Sequence, residues 1–76
     1  MSEIAARLTL AGEVRALLAR RRIAQQEVAD HLGISQSSMS RRLSGAQPFT
    51  TDEIYRLADL FSIDAGGLLN AGRASA

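Results

Sequence analysis

The sequence contains no cysteine, which excludes disulfide bonds and thiolate metal sites. No apolar run approaches the roughly 20 residues that a membrane-spanning helix needs. The N-terminus lacks the apolar core of a secretory signal peptide, so we expect a cytoplasmic protein. The 76 residues make one domain, and a domain of this size buries only roughly 60% of its unfolded surface. Every helix is therefore needed for the core.

Patterns of catalytic and cofactor-binding residues are also missing. His31 is the only histidine, and neither a cysteine nor a cluster of acids accompanies it. Metal ligation or general-base chemistry would need such partners, so we expect His31 to be a solvated or half-buried structural residue. The sequence shows neither a glycine-rich phosphate loop nor a nucleophile beside a base. We therefore expect no enzymatic activity, cofactor, metal or small-molecule ligand.

Lysine is absent as well, and the nine basic residues are all arginines. Between residues 15 and 42, six arginines stand against two acids, a net charge of +4. The rest of the chain has three arginines and six acids, a net charge of −3. A charge divided in this way weakly indicates a polyanionic partner. The six arginines are Arg15, Arg20, Arg21, Arg22, Arg41 and Arg42.

Residues 25–45, QQEVADHLGISQSSMSRRLSG, predict two short helices joined by a tight turn. The first helix, over residues 25–32, places three apolar side chains on one face. Gly33 can adopt the left-handed conformation that ends a helix, and Ile34 can fill the gap between the two helices. The apolar face consists of Val28, Ala29 and Leu32.

The second helix is predicted over residues 36–44, with Ser35 as its N-cap and Gly45 as its end. Its apolar edge consists only of Met39 and Leu43. The opposite arc is polar and contains no acid, whereas an ordinary solvated face mixes acids and bases to gain ion pairs. This arc is typical of a surface that meets hydrogen-bonding groups on a partner. It consists of Gln36, Ser37, Ser40, Arg41 and Ser44.

The stretch resembles the helix-turn-helix of the lambda-repressor and Cro (XRE-type) family of DNA-binding proteins. The residues that carry the resemblance are Gln25, Val28, Ala29, Gly33, Ile34, Ser35, Gln36, Met39, Ser40 and Gly45. A weaker similarity extends from about Leu10 to about Leu69. The resemblance implies an all-α, compact five-helix domain that binds double-stranded DNA as a transcriptional regulator. Helix 3 would lie in the major groove and helix 2 would cross the DNA backbone.

The same resemblance implies roles for individual residues. The base-reading positions are Gln36, Ser37, Ser40 and Arg41, of which Gln36 suits adenine and Arg41 suits guanine. The phosphate-contacting positions are Gln25, Ser35 and Ser38, to which we add Arg22 and Arg42. Arg42 departs from the family pattern, since many relatives have an apolar residue there, and either a phosphate contact or an acidic neighbour is expected. Ala24 also departs, because the family usually has a capping Ser or Thr at that position.

The remaining segments complete the predicted domain, residues 10–69. Helix 1 covers residues 10–22, and residues 1–9 either lengthen it or form a loose arm. The arginines at residues 20–22 either complement the helix dipole and aid solubility or form a phosphate-facing patch. Thr50 and Glu53 fit a capping box for helix 4, which runs to about Phe61, and Asp64 caps a short helix 5 over residues 65–69. We expect residues 70–76 to form a flexible tail.

Assembly and partner are less well defined by the sequence. Family members generally pair two copies on a two-fold-symmetric operator, and we expect such pairing on DNA with a monomer or weak dimer in solution. Only the Ile4/Leu8 face and the Leu68/Leu69 end offer spare apolar surface. The alternative function is an antitoxin-like or other protein-interaction module on the same fold, since fold does not fix function.

Overall fold

The computed structural model describes the backbone of residues 3–73 and the side chains of residues 9–70. Residues 3–73 form five α-helices and no strand, which confirms the predicted all-α, five-helix fold. None of these helices is long and apolar enough to cross a membrane. The helices are α1 (Glu3–Arg21), α2 (Gln25–Leu32), α3 (Gln36–Leu43), α4 (Thr51–Phe61) and α5 (Ala65–Arg73).

Both terminal helices are longer than the sequence pattern predicts. Residues 3–9 continue α1, so the helical extension is observed and the loose arm is not. Helix α5 runs to Arg73, four residues beyond the predicted end at Leu69, and this part of the predicted tail is helical. Residues 1–2 and 74–76, and the side chains of Ile4 and Leu8, lie outside what the structure describes.

The turn between α2 and α3 forms as predicted. Gly33 has a φ of 71°, and its N–H donates to the carbonyl of Asp30 at 3.2 Å. A side chain is rarely found at such a φ, so a glycine suits this position. Ser35 caps α3, because its hydroxyl oxygen accepts from the backbone N–H of Ser38 at 3.1 Å. Ala24 makes no side-chain cap, but its N–H donates to the carboxylate of Glu27 at 3.4 Å.

Helix α4 begins with the predicted capping box. The backbone N–H of Glu53 donates to the hydroxyl of Thr50 at 3.1 Å, and the N–H of Thr50 donates to Glu53 Oε1 at 2.9 Å. These two bonds satisfy two backbone donors that a helix start otherwise leaves free. The helix ends at Phe61, and Ser62 follows in the left-handed conformation with a φ of 55°.

The core draws on all five helices. Helix α1 packs against α3 and α5, α2 packs against α3 and α4, and α4 packs against α5. Leu68 is only 1% exposed and Leu69 packs against the same core. The Leu68/Leu69 end is therefore part of the core and does not form the spare apolar surface that we predicted. The largest fully buried side chains are Val14, Val28, Met39, Leu57, Phe61 and Leu68.

Two arginines of α1 bind the C-terminal ends of other helices. Arg15 donates to the carbonyl of Leu43, the last residue of α3. Arg21 donates through Nη1 to the carbonyl of Phe61 at 2.5 Å, and its guanidinium lies 5.9 Å from the centre of the Phe61 ring. The last carbonyls of a helix lack partners within the helix and carry its partial negative charge, so both contacts are favourable.

Arg42 joins α3 to the start of α4. Its Nε–H donates to Glu53 Oε1 at 2.8 Å, and the two side chains are only 13% and 9% exposed. A second bond runs from Arg42 Nη1 to the carbonyl of Ser38 at 3.2 Å. The acidic neighbour expected for Arg42 is thus observed. The alternative role, a phosphate contact by Arg42, stays a prediction.

We expect Leu32→Ala to lower the free energy of unfolding by about 2–5 kcal/mol, because the Leu32 side chain is 6% exposed where α2 meets the core. His31→Ala is the control, since His31 is exposed on the same helix and surface changes usually stay within about 0.5 kcal/mol. Urea unfolding followed by circular dichroism measures both. An unchanged midpoint for Leu32→Ala would contradict this packing.

We expect Arg42→Met to lower the free energy of unfolding by about 3–5 kcal/mol, because it leaves the buried Glu53 carboxylate without its cation. Arg56→Ala is a matched control on α4. Arg56 pairs with Asp52 at 2.9 Å, but these side chains are 52% and 73% exposed, and exposed pairs contribute under about 1 kcal/mol. The same urea experiment compares the two variants, and equal losses would mean that burial of the Arg42 pair has no energetic consequence.

Candidate nucleic-acid interface

The outer face of α3 carries all four predicted base readers. Gln36, Ser37, Ser40 and Arg41 are exposed. On the opposite edge Met39 and Leu43 are 0% and 3% exposed, so the helix is anchored from one side and open on the other. No acid occurs between residues 36 and 43. The face therefore offers hydrogen-bond donors and acceptors without a charge that would repel phosphate.

A chain of hydrogen bonds, which we call the Arg41 network, joins Ser35, Ser38, Arg41 and Gln47. The hydroxyl of Ser35 donates to Ser38 Oγ at 3.1 Å, and Arg41 Nη2 donates to the same oxygen at 3.2 Å. On its other side, Arg41 Nε–H donates to Gln47 Oε1 at 3.2 Å. The structure thus connects a predicted base reader directly to one predicted phosphate contact, Ser38, and through it to another, Ser35.

A second pair joins the two helices of the helix-turn-helix. The hydroxyl of Ser40 on α3 donates to Gln25 Oε1 on α2 at 3.4 Å, and both residues are exposed. Gln25 is the first residue of α2, so its side chain reaches across the angle between α2 and α3. The predicted phosphate contact and the predicted base reader are therefore neighbours in space, although 15 positions separate them in sequence.

Three predicted contact residues have no side-chain partner in the part of the chain that the structure describes. Gln36 and Ser37 form the first turn of α3 and are exposed. Arg22 is exposed just before α2, in a left-handed conformation with a φ of 54°. Within the described residues, an external ligand meets no competing internal hydrogen bond at these side chains.

The six arginines between residues 15 and 42 differ in whether they bind groups inside the protein. Arg15, Arg21 and Arg42 bind groups inside the protein, as described above. Arg20 lies 3.7 Å from Glu13, and the two side chains are 62% and 45% exposed, so this contact is weak. Arg22 and Arg41 remain as exposed cations near the ends of the helix-turn-helix. The surface available to a polyanion is thus narrower than the arginine count of the sequence suggests.

Reasoning from the sequence missed the part that Gln47 plays. Gln47 lies in the loop between α3 and α4, within a short polar segment that has no helical or strand pattern. Its bond to Arg41 exists only because the chain turns back after Gly45, which has a φ of 82°. Gly45 was predicted to end α3, but a single sequence gives no signal for the side chain that the returning loop brings beside Arg41.

His31, the one histidine, is exposed on α2. Among the residues that the structure describes, no group of three or more His, Cys, Asp or Glu side chains is placed to hold a metal ion. The two acids of α2 are occupied locally. Glu27 accepts from the N–H of Ala24, and Asp30 accepts from the side-chain amide of Gln26 at 2.8 Å.

Comparison with known proteins gives one family. No curated protein and no solved structure matches the chain significantly. A family profile described as the BetR domain matches residues 5–76, which include every helix of the fold apart from the first two residues of α1. The chain therefore belongs to the BetR domain family, small helical domains that are found in helix-turn-helix-like regulators.

Proposed function

We propose that this domain binds double-stranded DNA sequence-specifically and acts as a transcriptional regulator that reads the major groove with α3. The observation that carries the proposal is the exposed, acid-free face of α3 opposite the buried Met39 and Leu43. An α-helix fits the major groove, where each base pair presents its own pattern of donors and acceptors. The side chains of this face are of the types that read such patterns, an amide, hydroxyls and a guanidinium.

The proposed docking follows from the placement of the two helices. With α3 in the groove, the first turn of α3 would bring Gln36 and Ser37 to base edges, and Arg41 would lie one turn further along. Gln25 at the start of α2 and Ser35 at the turn would then face the sugar-phosphate backbone. Arg22 is close in sequence to Gln25 and would add a charged phosphate contact, which contributes affinity without sequence preference.

Membership of the BetR domain family supports a regulatory role in DNA binding. The narrower assignment, to a phage or bacterial repressor of the lambda-repressor and Cro (XRE) type, is our proposal from the residues of the helix-turn-helix. The structure has two short helices, α2 and α3, joined by a turn at Gly33. This order agrees with the one that the resemblance implies.

The rival function is an antitoxin-like or other protein-interaction module, and the buried centre of a protein interface is usually more apolar than the rest of the surface. Among the described residues, Tyr55 is the only large apolar side chain that is well exposed, at 55%. The surface area of one aromatic side chain is far smaller than the roughly 800 Å² that each partner buries in a stable interface. The acid-free face of α3 supports DNA binding, and a tight complex with a co-encoded protein that persists at high salt would favour the rival.

We expect Arg41→Ala and Gln36→Ala each to weaken binding to a selected DNA site by about 1–3 kcal/mol and to relax preference at one base position. The site is first obtained by selection from random duplexes, and binding is then measured by fluorescence anisotropy. Arg56→Ala and Asn70→Ala are the controls, since both residues are exposed and belong to α4 and α5. If both α3 variants bound as tightly as the parent with unchanged helicity, α3 would not be the reader.

We expect two copies to bind a near-palindromic site cooperatively, although the free protein is a monomer or weak dimer. Half a dozen side chains on one helix read only a few base pairs, and the duplex would hold a second copy at high effective concentration. Titration of a full site and an isolated half-site, together with sedimentation of the free protein, measures this. Equal affinity per copy on both DNAs would exclude cooperative pairing.

A further inference from the structure

Gln47 holds both the main chain and the side chain of Arg41. Its backbone N–H donates to the carbonyl of Arg41 at 3.2 Å, and its side-chain Oε1 accepts from Arg41 Nε–H at 3.2 Å. A single loop residue thus binds the same arginine at two points. No other predicted base reader is restrained in this way by a residue from outside the helix-turn-helix, within the residues described.

The loop that carries Gln47 is itself anchored. Ser44 donates through its hydroxyl to the Arg41 carbonyl at 3.0 Å, beside the bond from the Gln47 N–H. Two residues after Gln47, Phe49 is 8% exposed and belongs to the core. The backbone of Gln47 therefore belongs to a segment fixed at both ends, and only its side-chain rotamers remain to be ordered for the amide oxygen to accept from Arg41.

The bonds of Arg41 leave a defined set of donors available. A guanidinium has five N–H groups. Gln47 accepts from Nε, and Ser38 accepts from one N–H of Nη2. The two N–H groups of Nη1 and the second of Nη2 are not used within the described part of the protein. A pair of parallel N–H groups is the arrangement that binds guanine O6 and N7 together.

We propose that Gln47 is a positioning residue for base readout, because it holds the Arg41 guanidinium with its Nη1/Nη2 edge presented to guanine. The proposal deepens the proposed function and rests on it. An unrestrained arginine side chain samples many rotamers and loses that freedom on binding. The Gln47 restraint lowers this loss and limits which base the arginine can accept, so it affects both affinity and discrimination.

The decisive variant is Gln47→Ala, which removes the side-chain acceptor and keeps the backbone N–H. We expect binding to the selected site to weaken by about 3- to 10-fold, as for the loss of one hydrogen bond. The loss of preference should be confined to the base pair at which Arg41→Ala relaxes preference. Asn70→Ala removes an exposed amide from α5 and should leave affinity and preference unchanged.

A double-mutant cycle with Arg41→Ala separates positioning from direct contact. If Gln47 acts through Arg41, Gln47→Ala has little further effect once Arg41 is alanine. Additive losses would mean that Gln47 contacts DNA itself, and they would overturn the proposal. A parent protein that selects no DNA site would overturn the proposed function, whereas a site sensitive to Arg41→Ala and insensitive to Gln47→Ala would overturn only the positioning role.

The restraint can also be measured in the free protein. We expect the Arg41 Nε–H in ¹⁵N relaxation experiments to be more ordered than that of the exposed Arg22, and to lose this order in Gln47→Ala. Gln47→Glu keeps an acceptor at the same place and should retain the order. An Arg41 Nε–H that is equally mobile in the parent and in Gln47→Ala would contradict the restraint itself, whatever the DNA measurements give.

Discussion

The structure depends on holding one short, mostly polar helix in a fixed place. Helix α3 has eight residues, and only Met39 and Leu43 are buried in the core. A helix of this length is marginal by itself in water, and most of its stability comes from tertiary contacts. The helix must therefore be stabilised by bonds to its neighbours. This constraint explains why so many polar contacts of the domain end on or beside α3.

Those contacts act at both ends of α3 and along one side. Ser35 closes the N-terminus, Arg15 reaches from α1 to the carbonyl of Leu43, and the Arg42–Glu53 pair fixes the helix to the start of α4. The capping bond from the Thr50 N–H and the ion pair with Arg42 share Glu53 Oε1, so the start of α4 and the position of α3 are linked. Such linkage suits a reading helix, because side chains recognise base edges only from a fixed distance and angle.

Some arginines of this domain stabilise the fold, and others are exposed to a possible ligand. The sequence has six arginines between residues 15 and 42, a pattern that suggests a broad polyanion-binding surface. In the fold, Arg15, Arg21 and Arg42 support helix ends or a buried acid. Arg22 and Arg41 are exposed, and no described acid pairs with either. The specificity of the proposed interface therefore lies in a few polar side chains of α3 rather than in a large positive field.

Features that depend on near neighbours in the chain are predictable from the amino-acid pattern. The apolar spacing of α2 and α3, the left-handed Gly33 and the Thr50–Glu53 capping box are each set by neighbours within about four positions, and all three appear as predicted. The outward polar face of α3 follows from the same periodicity. The partner of a long side chain, by contrast, depends on how the helices pack. Arg42 binds Glu53 and Arg41 binds Gln47, because the chain turns at Gly45 and brings Gln47 and the start of α4 back beside α3. An arginine reaches several directions from one position, so its partner depends on the packing of separate elements, which the pattern of a single helix does not contain.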